Sequence, residues 1–209
     1  MELLRRIGNF FGARNIPLGM EDRVPGGQYV TPKMPVMSLS GSPRVSTEEW
    51  RFGFIGLVEE GVEIGWAELM ELPQQELTMD FHCVTQWSRL NVGWGGVRAT
   101  DLLLLARAKP EARYVMLHCY DGYTTNVDLK AMQSDDVLFA HRMDGEPLRP
   151  EHGGPVRLVV PRRYGWKSAK WVNGIELIAK DAPGFWEQRG YHNDGDPWRE
   201  ERFWPELTK

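Results

Sequence analysis

Two histidine–cysteine pairs, His82-Cys83 and His118-Cys119, hold the only cysteines of the chain. A thiolate is a soft donor suited to metals that prefer sulfur. It becomes a nucleophile when a neighbour such as His82 lowers its pKa. A free cysteine is also one of the most buried residue types, a small structural hydrophobe. All three readings stand for Cys83, which lies in Phe81-His82-Cys83-Val84-Thr85-Gln86-Trp87-Ser88. The four donors together raise zinc. Structural zinc sites, however, space their cysteines roughly two to four residues apart in knuckles, and adjacent strand residues point to opposite faces, so each pair is poorly built for one metal.

A second constellation is His152-Gly153-Gly154-Pro155-Val156-Arg157, followed by Arg162-Arg163-Tyr164-Gly165-Trp166-Lys167-Ser168-Ala169-Lys170. Glycine lets a backbone approach a ligand closely. Arginine offers a planar fork to phosphate or carboxylate, and lysine a point charge. The spacing fits an anion pocket or a solvated basic loop.

Short elements must position these groups. Alternation and turn signals predict strands over Trp50–Val58, Glu76–Val84, Tyr114–Tyr120, Tyr123–Leu129, Val137–Met143, Val156–Val160 and Lys170–Ala179, the last interrupted at Asn173-Gly174. Asp121-Gly122 and Asp144-Gly145 read as turns. Helices are expected at Trp66–Leu72, stopped by Pro73, and at Thr100–Ala108, with Thr100 as N-cap. Gly93, Gly95 and Gly96 read as a polar glycine-rich loop beside Cys83. Leu3, Leu4, Ile7, Phe10 and Phe11 predict an amphipathic helix over residues 2–12. Residues 14–47, rich in Gly, Pro and Ser, predict an extended segment that wraps the core and supplies site residues. The expected organisation is a helix and arm over 1–22, an oxidoreductase domain over 23–180, and an aromatic tail over 181–209 packed on that domain.

Composition narrows the class. The 209 residues carry a formal charge of -4 with no long basic run, which argues against nucleic acid. Hydrophobic residues make up 42% of the chain, enough for a real core. Two cysteines do not make a disulfide framework, and a reducing, cytoplasmic setting is the simpler expectation. No apolar stretch approaches the roughly 20 residues of a membrane span. Arg5-Arg6 is followed by a segment broken at Gly8, Asn9, Gly12 and Pro17, so no signal peptide is expected.

Taken in order, these segments resemble the molybdopterin-binding domain of the sulfite oxidase superfamily, from about Arg23 to Ala179. The likeness is strongest to small single-domain prokaryotic members related to the catalytic subunit of periplasmic methionine sulfoxide reductase. It implies an α+β fold, a mixed β-sheet or barrel-like core with short helices. It also implies a molybdenum-molybdopterin cofactor with Cys83 as metal ligand. His152 and Arg157 match pterin-binding positions, and Ser168, Ala169 and Lys170 match the segment that holds the cofactor. Cys119 and Asp121 fall where further pterin contacts lie. Tyr123 and Trp94 match active-site aromatics, with Tyr123 expected to hydrogen-bond a substrate oxygen. Tyr29, Val30, Thr31 and Lys33 match an arm that crosses the cofactor.

The chain departs from the family where sulfite would bind. Thr31-Pro32-Lys33 stands where sulfite oxidases carry an Arg-Asn-His run, and the arginine after the cysteine is represented by Arg89, offset by one residue. Neither the family's C-terminal dimerisation domain nor a haem domain is expected. The implied activity is oxygen-atom transfer, with S-oxide or N-oxide reduction favoured over sulfite oxidation, and with a separate electron-transfer partner. A molybdopterin carrier without catalysis and a metal-free thiol enzyme using Cys83 are the alternatives.

Overall fold

The structure, a computed structural model, describes residues 15–38 and 41–204. The helix expected over residues 2–12 lies outside them. Two mixed sheets carry the fold. The first contains β1 (Tyr29–Val30), β4 (Gln74–His82), β5 (Trp87–Arg98), β8 (Leu138–Met143), β9 (Glu146–Pro147) and β10 (Arg157–Val159), with β5 central, pairing β1, β4 and β8. The second is ordered β3 (Val62–Gly65), β2 (Arg51–Gly56), β11 (Val172–Ile178), β6 (Tyr114–Cys119), β7 (Thr124–Asp128). Each sheet has one parallel pairing, β1 with β5 and β2 with β11. Among the described residues three short α-helices, α1 (Trp66–Glu71), α2 (Ala99–Ala106) and α3 (Leu129–Met132), complete an α+β architecture.

The main core lies between the sheets. Alternate residues of β2, Phe52 and Phe54, turn inward. Phe52 meets Phe139 of β8 edge-on, with centroids 5.1 Å apart. Leu117, Ile175 and Leu177 of the second sheet and Leu102 and Ala106 of α2 fill the same space. A second cluster, with Phe81, Cys83, Trp87, Trp94, Ala140 and Val159, holds the other side of the first sheet. The cysteine of interest is thus built onto a packed β surface.

Several expectations are corrected. Gly93, Gly95 and Gly96 are in β5, not in a loop. Strand β8 passes so close that a Cβ on Gly96 would lie 2.2 Å from the Phe139 carbonyl oxygen, so glycine serves backbone approach rather than loop freedom. Helix α2 starts at Ala99 with Arg98 as N-cap and no side-chain cap. The Ala99 N–H donates instead to the Val137 carbonyl at 2.9 Å, which replaces the Thr100 cap. The strand expected to end at Val58 stops at Gly56, and β3 follows from it. The Asn173-Gly174 interruption is a register shift in the pairing of β11 with β6.

Candidate active site

Cys83 follows directly on β4, where a tight turn leads into β5. Its N–H donates to the Trp87 carbonyl at 2.9 Å, and its own carbonyl accepts from Gln86 N at 3.0 Å and Gln28 Nε2 at 3.1 Å. Gln28 is buried in the extended arm, so the arm clamps the cysteine turn from outside the sheet. The thiol lines a cavity of about 320 Å³ and lies 3.2 Å from the Thr85 hydroxyl. His82 is turned to other partners. Its Nδ1 sits 2.8 Å from the Ser88 hydroxyl, and burial lowers its pKa to about 4. The imidazole is thus neutral and bonded to Ser88, whereas the hydrogen-bond partner of the thiol among the described residues is Thr85, so His82 is not placed as base or cation toward Cys83.

One half of the cavity is cationic. The turn Pro150–His152 ends at Gly153, whose φ of 105° is a conformation glycine adopts freely. A Cβ there would meet Lys170 Cβ at 2.9 Å, so this glycine lets the lysine stem lie across the turn. The Arg157 guanidinium, 3% exposed, donates to the His152 and Ser168 carbonyls, each at 2.9 Å, and lies 5.3 Å from the Phe81 and Trp94 ring centroids. Burial lowers its pKa to about 10, partly offset by Cys83. Lys170 Nζ donates to the Met37 carbonyl at 2.5 Å and the Glu151 carbonyl at 3.3 Å. Burial and then Arg157 bring its pKa to about 8. His152 is lowered by burial and by Arg157. Ser168 and Ala169 complete this wall, with the Ser168 hydroxyl accepting from Val160 N at 2.9 Å.

Among the described residues neither Arg157 nor Lys170 is ion-paired with a carboxylate. Two largely desolvated cations held by carbonyls and ring faces, with no carboxylate, are costly in isolation, and an anionic ligand relieves that cost. On the same cavity wall, the buried Trp87 indole N–H has no partner among the described residues. A thiol, two unneutralised cations and an unused donor around one cavity fit an anionic, sulfur-preferring metal cofactor. Cys83 would ligate the metal, and Arg157, Lys170 and His152 would hold the anionic part.

The other half is aromatic, made by Tyr123, Trp166, Trp186 and Tyr191, with Asp121 beside them in the wall. The Tyr123 hydroxyl donates to the Trp166 carbonyl at 2.7 Å, and burial followed by Glu187 pushes its pKa well up. Trp186 and Tyr191 come from the tail, so that segment packs on the domain and also walls the cavity. Sequence reasoning assigned the tail aromatics to packing. It had no signal for which of them reach the site, since this follows from the path of the chain after β11.

Other expected site residues lie elsewhere. Cys119 belongs to the core between the sheets, where burial raises its thiol pKa, and is not part of the cavity wall. Trp94 is fully buried beneath the wall, contributing a ring face to Arg157 rather than a substrate surface. Arg89 is paired with Asp144 across the sheet and lies outside the cavity. Tyr29 and Val30 pair with Trp87 and Ser88 as β1. Neither they nor Thr31 and Lys33 reach the cavity; the arm touches it at Met34, Pro35, Met37 and Ser38. Strand pairing fixes the arm's register at β5, and only beyond that pairing does the chain cross the opening.

The oxidoreductase molybdopterin binding domain model matches residues 39–186. The chain is 44% identical over 182 residues to the "Uncharacterized oxidoreductase YuiH" of Bacillus subtilis, covering 87% of this chain and 92% of that one. It is 27% identical to the protein-methionine-sulfoxide reductase catalytic subunit MsrP of Campylobacter jejuni, covering 77% of this chain and 59% of the relative. To the sulfite oxidase of Arabidopsis thaliana it is 28% identical, covering 65% of this chain and 44% of the relative. Among solved structures it resembles the sulfane dehydrogenase SoxCD of Paracoccus pantotrophus, with a TM-score of 0.64 and 26% identity over 72% of this chain and 43% of that one. Apart from the Bacillus protein, these relatives are matched over little more than half their length or less. With a family model spanning most of the chain and a relative this similar over nearly its whole length, the protein belongs to the molybdopterin-binding oxidoreductases of the sulfite oxidase type and uses a molybdenum-molybdopterin cofactor.

Proposed function

We propose that the protein catalyses oxygen-atom transfer at a molybdenum centre ligated by Cys83, and that it reduces S-oxides or N-oxides more efficiently than it oxidises sulfite. One observation carries the substrate preference: among the described residues the arginine and lysine of the cavity wall, Arg157 and Lys170, belong to the cofactor-holding half, while the other half is aromatic and includes Asp121. Sulfite is a small anion, a mixture of mono- and dianion near neutral pH, and selecting it calls for cations beyond those the cofactor uses. Arg89 does not supply one, because Asp144 holds it outside the cavity.

The bound cofactor supplies the two-electron oxygen-atom chemistry. The chain's residues fix its position and shape the pocket. Gln28 and the β4–β5 turn hold the Cys83 backbone. Arg157 and Lys170 contribute charge-assisted hydrogen bonds to an anionic group. Tyr123 keeps its proton but gives it to the Trp166 carbonyl, so it contacts a substrate oxygen as donor only by leaving that partner. Electrons come from a separate donor, a reading supported by the similarity to a relative whose name marks it as the catalytic subunit of a methionine sulfoxide reductase. A cytoplasmic location is part of the same reading, supported by two unpaired buried cysteines, and cell fractionation tests it.

The deciding experiment uses cofactor-replete protein. Specificity constants are compared for sulfite with a dye acceptor and for S-oxides and N-oxides with a dye donor. The oxides should be favoured by at least about tenfold, the discrimination expected of one unmatched charge. More efficient sulfite turnover overturns the proposal.

A further inference from the structure

The aromatic half of the cavity depends on one carboxylate. Glu187 is 2% exposed, and its Oε1 accepts from Lys167 Nζ at 2.6 Å, Thr125 Oγ1 at 2.8 Å and Trp166 Nε1 at 2.9 Å. Lys167, also buried, gives its other donors to the Asn126 carbonyl at 2.8 Å and Asn126 Oδ1 at 2.9 Å. Asn126 in turn donates to Asp181 Oδ1 at 2.6 Å. A buried carboxylate with three donors, one of them an ammonium, has a single place to sit. The segment that carries it is therefore fixed against β7 and the 165–170 loop.

That segment delivers two rings to the cavity. Trp186 directly precedes Glu187. Gly190, at φ 94°, turns the chain back so that Tyr191 N donates to the Trp186 carbonyl at 3.1 Å. The Trp186 and Tyr191 rings lie 4.8 Å apart at 37°, and Tyr191 meets Trp166 edge-on at 5.2 Å. The indole N–H of Trp166 is bonded to the same Glu187 oxygen. The cavity's cations stack elsewhere among the described residues, Arg157 on Phe81 and Trp94, Lys170 on Trp171. Trp166 is itself buried, stacked on Tyr164 at 5.5 Å, and so serves as the backing of the wall, while the half-buried Trp186 and Tyr191 rings present the apolar surface that a flat partner can meet.

We propose that Glu187 is a positioning residue that latches this three-ring wall, and that the wall selects oxides bearing an aryl substituent over small aliphatic ones. The proposal rests on the oxide reading given above and names the substrate class within it. Rings set at inclined and perpendicular angles offer both faces and edges, the arrangements aromatic partners prefer.

The test is equilibrium binding to oxidised, cofactor-loaded protein with no electron donor present, using methyl phenyl sulfoxide and dimethyl sulfoxide as probes. Wild-type protein should bind the aryl probe about tenfold more tightly. Trp186→Ala and Tyr191→Ala should each weaken aryl binding about threefold to tenfold, the range of an aromatic contact, and leave dimethyl sulfoxide binding within about twofold. Glu187→Ala should abolish the aryl preference and raise the accessibility of tail tryptophans to collisional quenchers, with Glu187→Asp restoring part of both. Should Glu187→Ala fail to fold, the two ring variants decide. A wild-type protein with no aryl preference, or ring variants that keep it, overturns the proposal. So does loss of molybdenum in Trp186→Ala without a change in probe selectivity, since the rings would then serve the pterin. Efficient sulfite turnover alongside a retained aryl preference sinks the oxide reading and leaves the wall standing.

Discussion

Replacing Arg157 by methionine separates a residue that holds a cofactor from one that holds the fold. Its guanidinium is almost fully buried with carbonyls as its hydrogen-bond partners, and burial has lowered its pKa from the ordinary arginine value to about 10. That shift corresponds to roughly 3 kcal/mol working against the charged form in the cofactor-free protein. Methionine removes this cost and roughly fills the volume, but it strands the His152 and Ser168 carbonyls at about 1–3 kcal/mol each. The opposing contributions nearly cancel, so cofactor-free Arg157→Met should melt within a few degrees of wild type. Cofactor binding has no such compensation. Loss of a charge-assisted hydrogen bond worth about 1.5–3 kcal/mol weakens binding roughly 10- to 150-fold. The assay is molybdenum per chain after expression with limiting cofactor, together with the difference in melting temperature between loaded and cofactor-free protein, which linkage makes a measure of affinity. Arg157→Lys should fall between. Full molybdenum occupancy and an unchanged melting difference in Arg157→Met would refute the assignment of this cation to the cofactor.

The remaining predictions probe the other parts of the site and its frame. Cys83→Ser should lose turnover with its circular dichroism unchanged, because oxygen is the harder donor; Cys119→Ser should keep turnover but lose about 1–3 kcal/mol by placing a hydroxyl in the core. In cofactor-free protein Lys170 has a pKa of about 8 against about 10.4 unfolded. Between those values the unfolded chain binds more protons, so stability should rise with pH across this window and the rise should vanish in Lys170→Met. Melting curves from pH 7.5 to 10 check it, and a flat difference between the two proteins contradicts it. Gly96→Ala would place a Cβ 2.2 Å from the Phe139 carbonyl oxygen and should cost about 3 kcal/mol, a drop of roughly 6–10 °C in Tm, whereas Gly122→Ala, with open space around it, should cost less.

Which residues share the cavity was readable in the sequence where local residue order carries them. Cys83 at a strand end, and the His152, Arg157, Ser168, Ala169 and Lys170 group, are brought to one cavity as their motifs implied. These residues sit within short segments whose backbones present them directly, so the linear pattern nearly equals the spatial one. The alternation of β2 and the stop at Pro73 were legible for the same reason. Where position depends on pairing between distant segments, the sequence was silent. Glycines of β5 look like a loop until β8 is seen to press against them. Arg89 has the right type and nearly the right spacing, but a partner 55 residues away holds it outside. Cys119 repeats the local pattern of Cys83, yet its strand faces the inter-sheet core. The aromatic wall depends on a buried ion pair between Lys167 and Glu187, and a charge's partner is set by where two segments meet in space rather than by the order of residues along either one.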